Sequence, residues 1–458
     1  MNILLPTESI IALVCACMAI MASLCGFATP PVRRVLGLLA PFSMLVFFAS
    51  GVRSDHPEYV VVLVPGLLEL QQLGAYCGVL FNFIYLIVFI AFGNRVFATH
   101  TAGFWLAIQL LVSVGLLCEN VGFFALVIMA ALMLHLKVSQ QDVYQVSKKQ
   151  DRFVVVVFSS LLAVLLGVIF FGCVVAVHHL TSFQALIAAG ASLPCYLKVL
   201  SSLLMMTLLG AFPFHFWIKP LFGFPGRYGL AVITRLNIGF VVWCKLYALI
   251  FSGDQLLDTM LTYGCGANLL YAALLLFGER RLSQIVSSLY LFHIPLLILA
   301  VKTSGAMGVP DFVLDFANIT VAISALLVIL GMLRDRLGAE ELERASGLGI
   351  SYPFLGISFL VCVLSLVGFP GTLGFVSSEV MLHHFAESTW PVAACFVVTL
   401  ALNGYSSFRI FGESFYGDPA KSFRRVFQPL LREKAAILMV LFFLLASGVG
   451  QQFVHAAH

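Results

Sequence analysis

The chain reads as an all-α polytopic membrane protein of about fourteen transmembrane helices, with helices 7 and 12 broken and both termini on the non-cytoplasmic side. Three observations lead there. Its 458 residues are 61% hydrophobic and 10% charged, against about 25% charged residues in ordinary soluble domains. Apolar stretches near the ~20 residues needed to cross a ~30 Å hydrocarbon core recur along its whole length. The basic residues, finally, are one-sided: if the spans alternate, twenty of the 25 Lys and Arg fall in or beside loops on one face, and Arg53 and Lys302 on the other. The remaining three, Lys198, Arg235 and Lys245, lie inside spans. A miscounted span would invert every later loop and scramble this asymmetry, and the basic face is cytoplasmic by the positive-inside rule.

In chain order, the first apolar run, 8–27, has no basic flank before it and reads as a span, not a cleavable signal peptide. Spans follow at 35–50, 75–92, 102–118, 121–137 and 153–175. The seventh, 196–217, ends in Gly210-Ala211-Phe212-Pro213-Phe214-His215-Phe216-Trp217. Pro213 removes a backbone donor and breaks the helical ladder. Such a break is tolerated at membrane depth only where the freed carbonyls meet protein or water. Trp217 and Lys219 then mark the membrane–water boundary. Spans 228–251, 257–277, 284–302 and 314–332 come next. The stretch 353–386 is too long for one straight crossing and carries Gly368-Phe369-Pro370-Gly371 near its middle, so a second break is expected at Pro370. Spans 389–412 and 435–454 complete the set. Two interrupted helices in well-separated halves point to a transport-type architecture.

The longest loops, 51–74 and 413–434, run to roughly twenty residues, too short for a catalytic domain. Residues 1–458 therefore read as one transmembrane domain with no soluble domain and no catalytic residues of its own. No P-loop, dinucleotide fingerprint, CxxC or HExxH occurs. The eleven cysteines lie mostly in apolar runs without ligand spacing and read as small core residues. No metal, cofactor or nucleic acid is expected.

Four stretches resemble one family. Gly210 to Trp217 is similar to the seventh-helix signature of the antiporter-like subunits of NADH:quinone oxidoreductase, shared with multisubunit cation/proton antiporters and membrane-bound hydrogenases. Leu364 to Phe375 resembles that family's broken twelfth helix, Arg281-Leu282-Ser283 through Ser288 the start of its tenth, and Cys118-Glu119-Asn120 the polar turn before its fifth. The resemblance implies a subunit of a large membrane complex that moves protons along a central polar axis of a helix 5 glutamate, helix 7 and 8 lysines and a helix 12 lysine or glutamate. Carried over by position, those charges largely fail to appear: the corresponding residues here are Met129, Leu208, Asn237 (with Arg235 nearby) and Ser378, followed by Glu379.

The path candidates are therefore the ionisable residues that remain at membrane depth, where each costs about a few kcal/mol and defaults to a functional reading. Arg235 either lines a path or holds a carboxylate; it stays protonated and is a poor relay. Lys198 and Lys245 lie nearer span ends, where snorkelling to the interface competes with proton exchange. Glu379 and His383, at i and i+4, share a helix face and make a candidate carboxylate–imidazole relay, against the reading of an inert polar cluster near a helix end. His293, before Pro295, is a relay or a satisfied buried histidine, and His215 caps carbonyls freed at Pro213 or joins the path. Glu119 is either the acid of span 5 or part of a turn, and Asn120 with the flanking apolar runs favours the turn.

The expected function is ion translocation in a complex I-like assembly, through an axis with altered charges. Two alternatives stay open: a membrane subunit of a proton-driven inorganic-carbon uptake complex, and a non-conducting structural subunit, the latter because of Leu208 and Met129. Expected partners are other membrane subunits, the lipid bilayer, and a soluble redox or carbon-hydrating subunit on the cytoplasmic side. The expected location is a bacterial-type inner membrane.

Overall fold

The structure is a computed structural model that describes residues 17, 30–52, 61–64, 66–96, 102–146, 150–222, 229–250, 254–307, 309–338, 346–417 and 428–456. Among these, ten helices are long and apolar enough to cross a membrane, and three shorter apolar helices accompany them, at Ala102–Leu117, Gln284–Ala300 and Pro353–Val367. The expected span 8–27 lies, Cys17 apart, outside the described residues, as do parts of loops 51–74 and 413–434. The protein is an integral, multi-pass, mostly helical chain. Its contacts group into two compact units.

Unit 1 takes residues 1–217 and 230–258. Its elements are α1 (Pro30–Gly51), β1 (Val61–Val64), β2 (Leu68–Leu70), α2 (Gln72–Val96), α3 (Ala102–Leu117), α4 (Val121–Val146), α5 (Gln150–Gly172, closing in a π turn), α6 (Phe183–Ala188), α7 (Cys195–Leu209) and, after α8 (Ile218–Phe222) of the other unit, α9 (Leu230–Ile250). Helix α9 is the centre: it packs against α2, α3, α4 and α7, and 94% of its apolar span is buried. An apolar helix surrounded on all sides is expected to be a core helix. Gly239 lets α7 approach it, since a Cβ there would stand 3.2 Å from the Leu208 carbonyl oxygen.

The connections at one end of unit 1 are knitted by backbone bonds, which a helical reading of the sequence did not anticipate. β1 and β2 form an antiparallel hairpin pairing Val61 with Leu70 and Val62 with Glu69. Leu68 bridges to Cys118, and Asn120 to Ser182. Glu119 N–H donates to the Leu67 carbonyl (2.9 Å), and the Glu119 carbonyl accepts from Phe183 N–H (3.0 Å). Asn120 caps α4 by accepting from Phe123 N–H at 2.9 Å.

Unit 2 takes residues 218–229 and 259–458. Beyond α8 it contains most of α10 (Gln255–Gly278), α11 (Leu282–Met307), α12 (Val309–Leu337), α13 (Leu348–Ser351), α14 (Pro353–Val367), α15 (Leu373–Ser388), α16 (Trp390–Phe415) and α17 (Leu431–Ala456). Here α12 is the centre, packed against α11, α14, α15 and α17 and wholly buried over its apolar span. At its C-terminal end Arg336 pairs with Glu433, which also accepts from Leu430 N–H at 2.9 Å.

Candidate functional site

Each unit contains one interrupted helix, and at each the released carbonyls can be traced. In unit 1, α7 stops at Leu209 because Gly210 turns left-handed (φ +77°), a conformation glycine adopts without steric cost. Gly210 and Ala211 N–H both donate to the Met206 carbonyl (2.8 and 3.0 Å). The indole of Trp217 donates to the Thr207 carbonyl at 3.1 Å. The Phe212–Pro213 peptide is cis, and a single 3-10 turn, Phe214–Trp217, leads onward. His215 is half-buried and stacks on Phe212 with ring centres 5.5 Å apart. Leu208, at the position where the family resemblance implies a lysine, is fully buried. Met129, where it implies a glutamate, lies against Gly167.

Unit 1 nonetheless buries charge at two levels of α9. Arg235, 1% exposed, holds its guanidinium carbon 5.1 Å from the Trp217 ring centre, a cation–π arrangement. Beside it, His135 Nε2 lies 2.9 Å from the Ala231 carbonyl. A carbonyl only accepts, so Nε2 carries the proton and Nδ1 is left as an acceptor; that buried Nδ1 has no hydrogen bond among the described residues. Ten residues on, about 15 Å along the helix, Lys245 is 6% exposed with its ammonium 5.4 Å from the Phe183 ring centre. Glu119, 2% exposed, bears electrostatically on it. The Glu119 carboxylate accepts from Gln184 N–H at 2.8 Å and from the Gln71 amide at 3.5 Å, while the Gln184 amide also reaches Glu69 at 3.4 Å. Burial pushes the Glu119 carboxyl above its ordinary range, against the pull of Gln184 N–H and Lys245.

In unit 2, α14 stops at Val367 with Gly368 again left-handed (φ +77°). Phe369 N–H donates to Leu364 (2.9 Å) and Gly368 N–H to Ser365 (3.2 Å). Side chains do the rest. His293 Nε2 donates to the Leu366 carbonyl at 2.9 Å. Asn318 donates to the Ser365 carbonyl at 3.3 Å and accepts from the Ser365 hydroxyl at 2.6 Å. Past the break, Ser377 on α15 donates toward Asp315 Oδ1 at 3.4 Å and lies 3.2 Å from the Gly374 carbonyl. Asp315 is 2% exposed. Its Oδ2 and the Nδ1 of His293 have no hydrogen bond among the described residues. Gly374 is required where it stands, because a Cβ there would overlap the Ser365 carbonyl and touch the Asn318 amide.

The structure distributes the expected path residues unevenly. Pro213 and Pro370 lie in the two breaks. Arg235, His293 and Lys245 are buried. Lys198 is buried in the first turn of α7. Its charge reaches Asp254 in the connection after α9, a carboxyl held below its ordinary range first by Leu257 N–H, then by Cys195, with Lys198 a lesser cause. Glu379 and His383 do share a face of α15, but it is the exposed one. The expected Glu379–His383 contact is replaced by His383 facing Glu387 at 3.5 Å, both 67% exposed; the i+4 neighbour on the C-terminal side, not the N-terminal one, takes the imidazole.

Sequence reasoning missed Asp315 and His135 and favoured a turn for Glu119 over the acid of span 5. The available signals were local: Asp315 and Asn318 at i and i+3 in a mostly apolar stretch, and His135 and Ser139 at i and i+4.

The profile of a family described as NADH:quinone oxidoreductase/Mrp antiporter, transmembrane, matches residues 121–403, a stretch that takes in both breaks. Among curated proteins, a Na+/H+ antiporter subunit of Bacillus subtilis is 25% identical over 252 residues, covering 54% of this chain and 50% of that protein. The chain thus spans about half the length of the curated relatives it matches. Two solved structures share the fold: a chain of the Mrp complex from Dietzia sp. DQ12-45-1b (TM-score 0.83, 17% identity, 98% of this chain and 96% of that one), and one of respiratory complex I from Thermus thermophilus with bound NADH (TM-score 0.80, 19% identity, 97% and 96%). With its family match running through both broken helices, the chain belongs to the NADH:quinone oxidoreductase/Mrp antiporter transmembrane family.

Proposed function

We propose that this chain is an antiporter-like subunit that moves protons or cations across the membrane within a multisubunit assembly, using polar groups retained in its two units after the standard charges have been lost. One observation carries the reading: each central helix, α9 and α12, is apolar and buried yet carries ionisable side chains, Arg235 and Lys245 on one and Asp315 on the other. An unneeded buried charge is removed readily by substitution, because taking an ion out of water costs several kcal/mol even where it is paired. Keeping such groups, with acceptor atoms of His135 and His293 still open, favours a working interior over a purely structural one. The apolar Leu208 in the first break is the observation that favours the structural alternative.

Fourteen spans with both termini outside remain our orientation. The side-chain contacts support it: Lys219 pairs with Glu279, and Arg409 caps the Phe277 and Glu279 carbonyls. Arg336 pairs with Glu433. All of these join loops or span ends assigned to the basic, cytoplasmic face. Glu69, Glu119, Gln184 and Lys245 meet on the opposite face, as do Lys198 and Asp254. Partners are other membrane subunits, with a soluble redox or carbon-hydrating module docking on the basic face. The decisive experiment is to purify the complex in mild detergent, identify its subunits, and measure proton flux after reconstitution for wild type and Lys245→Met. Undiminished flux in the variant, or a wild-type complex that moves no ions, would sink the reading.

A further inference from the structure

We infer that Asp315 is the proton-exchanging acid of unit 2, and that the site it heads takes a proton and excludes an alkali cation. This rests on the transport reading above and names the ion for one half of it. Asp315 stands on the buried helix α12 with one carboxylate oxygen turned toward Ser377 and the other open. An acid in such a place calls for a counter-charge, a bound cation or a proton. On the elements packed against α12, the described charged and titratable side chains include Tyr290 and His293 on α11, Cys362 on α14, Glu379, His383, His384 and Glu387 on α15, and Arg432, Glu433 and Lys434 on α17; the side chain of Lys302 on α11 lies outside the described residues. Glu379 and His383 are exposed. Glu433 is paired with Arg336, 21 residues and about 30 Å along the helix from Asp315. Arg432 and Lys434 flank Glu433 at that far end, and no ion pair to Asp315 occurs among the described residues.

A cation would need oxygens. Hard cations are typically held by about six or more, and an interrupted helix is the place where backbone carbonyls become available. Here those carbonyls are taken. Leu364 accepts from Phe369 N–H, and Ser365 from Gly368 N–H and from the Asn318 amide. Leu366 accepts from the His293 ring, and Asn318 Oδ1 from the Ser365 hydroxyl. Each therefore has the positive end of an N–H or O–H dipole against it, which opposes a cation at that oxygen. A proton needs only the open oxygen of Asp315. The open Nδ1 of His293 is the corresponding acceptor: along the chain, His293 bonds the segment before the break and Asp315 the segment after it. Gly374, which admits no Cβ, keeps the Ser365 carbonyl and the Asn318 amide packed shut against α15.

The test uses the intact complex in sealed native vesicles and a hydrophobic carbodiimide, which modifies protonated carboxyls in apolar surroundings. We expect mass spectrometry to find the adduct on the Asp315 peptide, its yield to fall as pH rises, and sodium chloride at fixed pH to protect no better than choline chloride. Asp315→Asn should lower proton flux by about tenfold or more while the complex still assembles on a native gel, and Asp315→Glu should restore most of it. Selective protection by sodium would overturn the proton assignment in favour of a cation site. Absence of the adduct at every pH, or normal flux in an assembled Asp315→Asn complex, would overturn the role of Asp315. A wild-type complex that moves no protons would strike the transport reading instead, separately from the labelling result.

Discussion

The two interrupted helices use the same backbone device and line it differently. Both stop at a left-handed glycine with φ +77°, Gly210 and Gly368, followed by a proline. In unit 1 the released carbonyls of Met206 and Thr207 are met by backbone N–H groups and the indole of Trp217, with Leu208 filling the adjacent interior. In unit 2 the equivalent groups are met by an imidazole and a carboxamide, and a buried acid on α12 meets Ser377 on the helix that follows the break. A broken helix is thus a way of presenting carbonyls, and the residues that meet them decide whether the place is a closed joint or a station for a titratable group. Unit 1 holds its charges on α9, with Arg235 over the Trp217 ring that caps the break and Lys245 further along, facing Glu119.

The largest effect is expected from making the second break resemble the first. His293→Phe with Asn318→Leu leaves the Leu366 carbonyl without its side-chain donor and the Ser365 hydroxyl without its acceptor, at about 1–3 kcal/mol for each unsatisfied group. Both the thermal stability of the purified complex and its proton flux should drop; unchanged values in both would make the two breaks equivalent. Next comes Gly374→Ala, whose methyl overlaps the Ser365 carbonyl, expected to cost about 1–3 kcal/mol. Gly210→Ala forces a side chain into left-handed backbone, at about 1–2 kcal/mol. Ranking the two by thermal unfolding of the complex tests whether the second break is the more tightly packed.

A smaller, pH-dependent effect is expected at Glu119. Its carboxyl is raised above the ordinary value of 4.5 by burial. The folded state therefore holds this proton more tightly than the unfolded state. The associated stability is present below pH 4.5 and is lost as pH rises through the folded-state value. Glu119→Gln removes that dependence, so the variant should gain on wild type as pH is raised. A melting-temperature difference flat from about pH 4 to 8 would refute it. The smallest effect is expected from Glu379→Gln combined with His383→Ala, because both side chains are exposed on α15. Stability should stay within about 0.5 kcal/mol and flux near wild type; a large loss of flux would move the path of unit 2 from Asp315 to that outer face.

Much of this was legible beforehand, and particular residues show why. Gly210, Pro213, Gly368 and Pro370 announce their breaks because a positive φ and a missing N–H are properties of one or two residues. The spacing of Glu379 and His383 correctly placed them on one face of one helix. That this face is the exposed one, and that His383 turns to Glu387, depends on how α15 lies against α12. Asp315 escaped notice because α12 is apolar on every side, so periodicity gives no face to favour.

The sequence alone therefore determined what local chemistry and length determine: the apolar spans, set by bilayer thickness; the clustering of basic residues in alternate loops; the two points where the helical ladder stops; and a family likeness carried by those same motifs. The tertiary structure decided which polar groups face inward. It made α9 and α12 the cores of two units, joined Glu119 to Gln184 and to the charge of Lys245 across separate connections, and set Asp315 and His293 around one interrupted helix. Burial is a property of neighbours brought together from distant parts of the chain, so no single stretch records it.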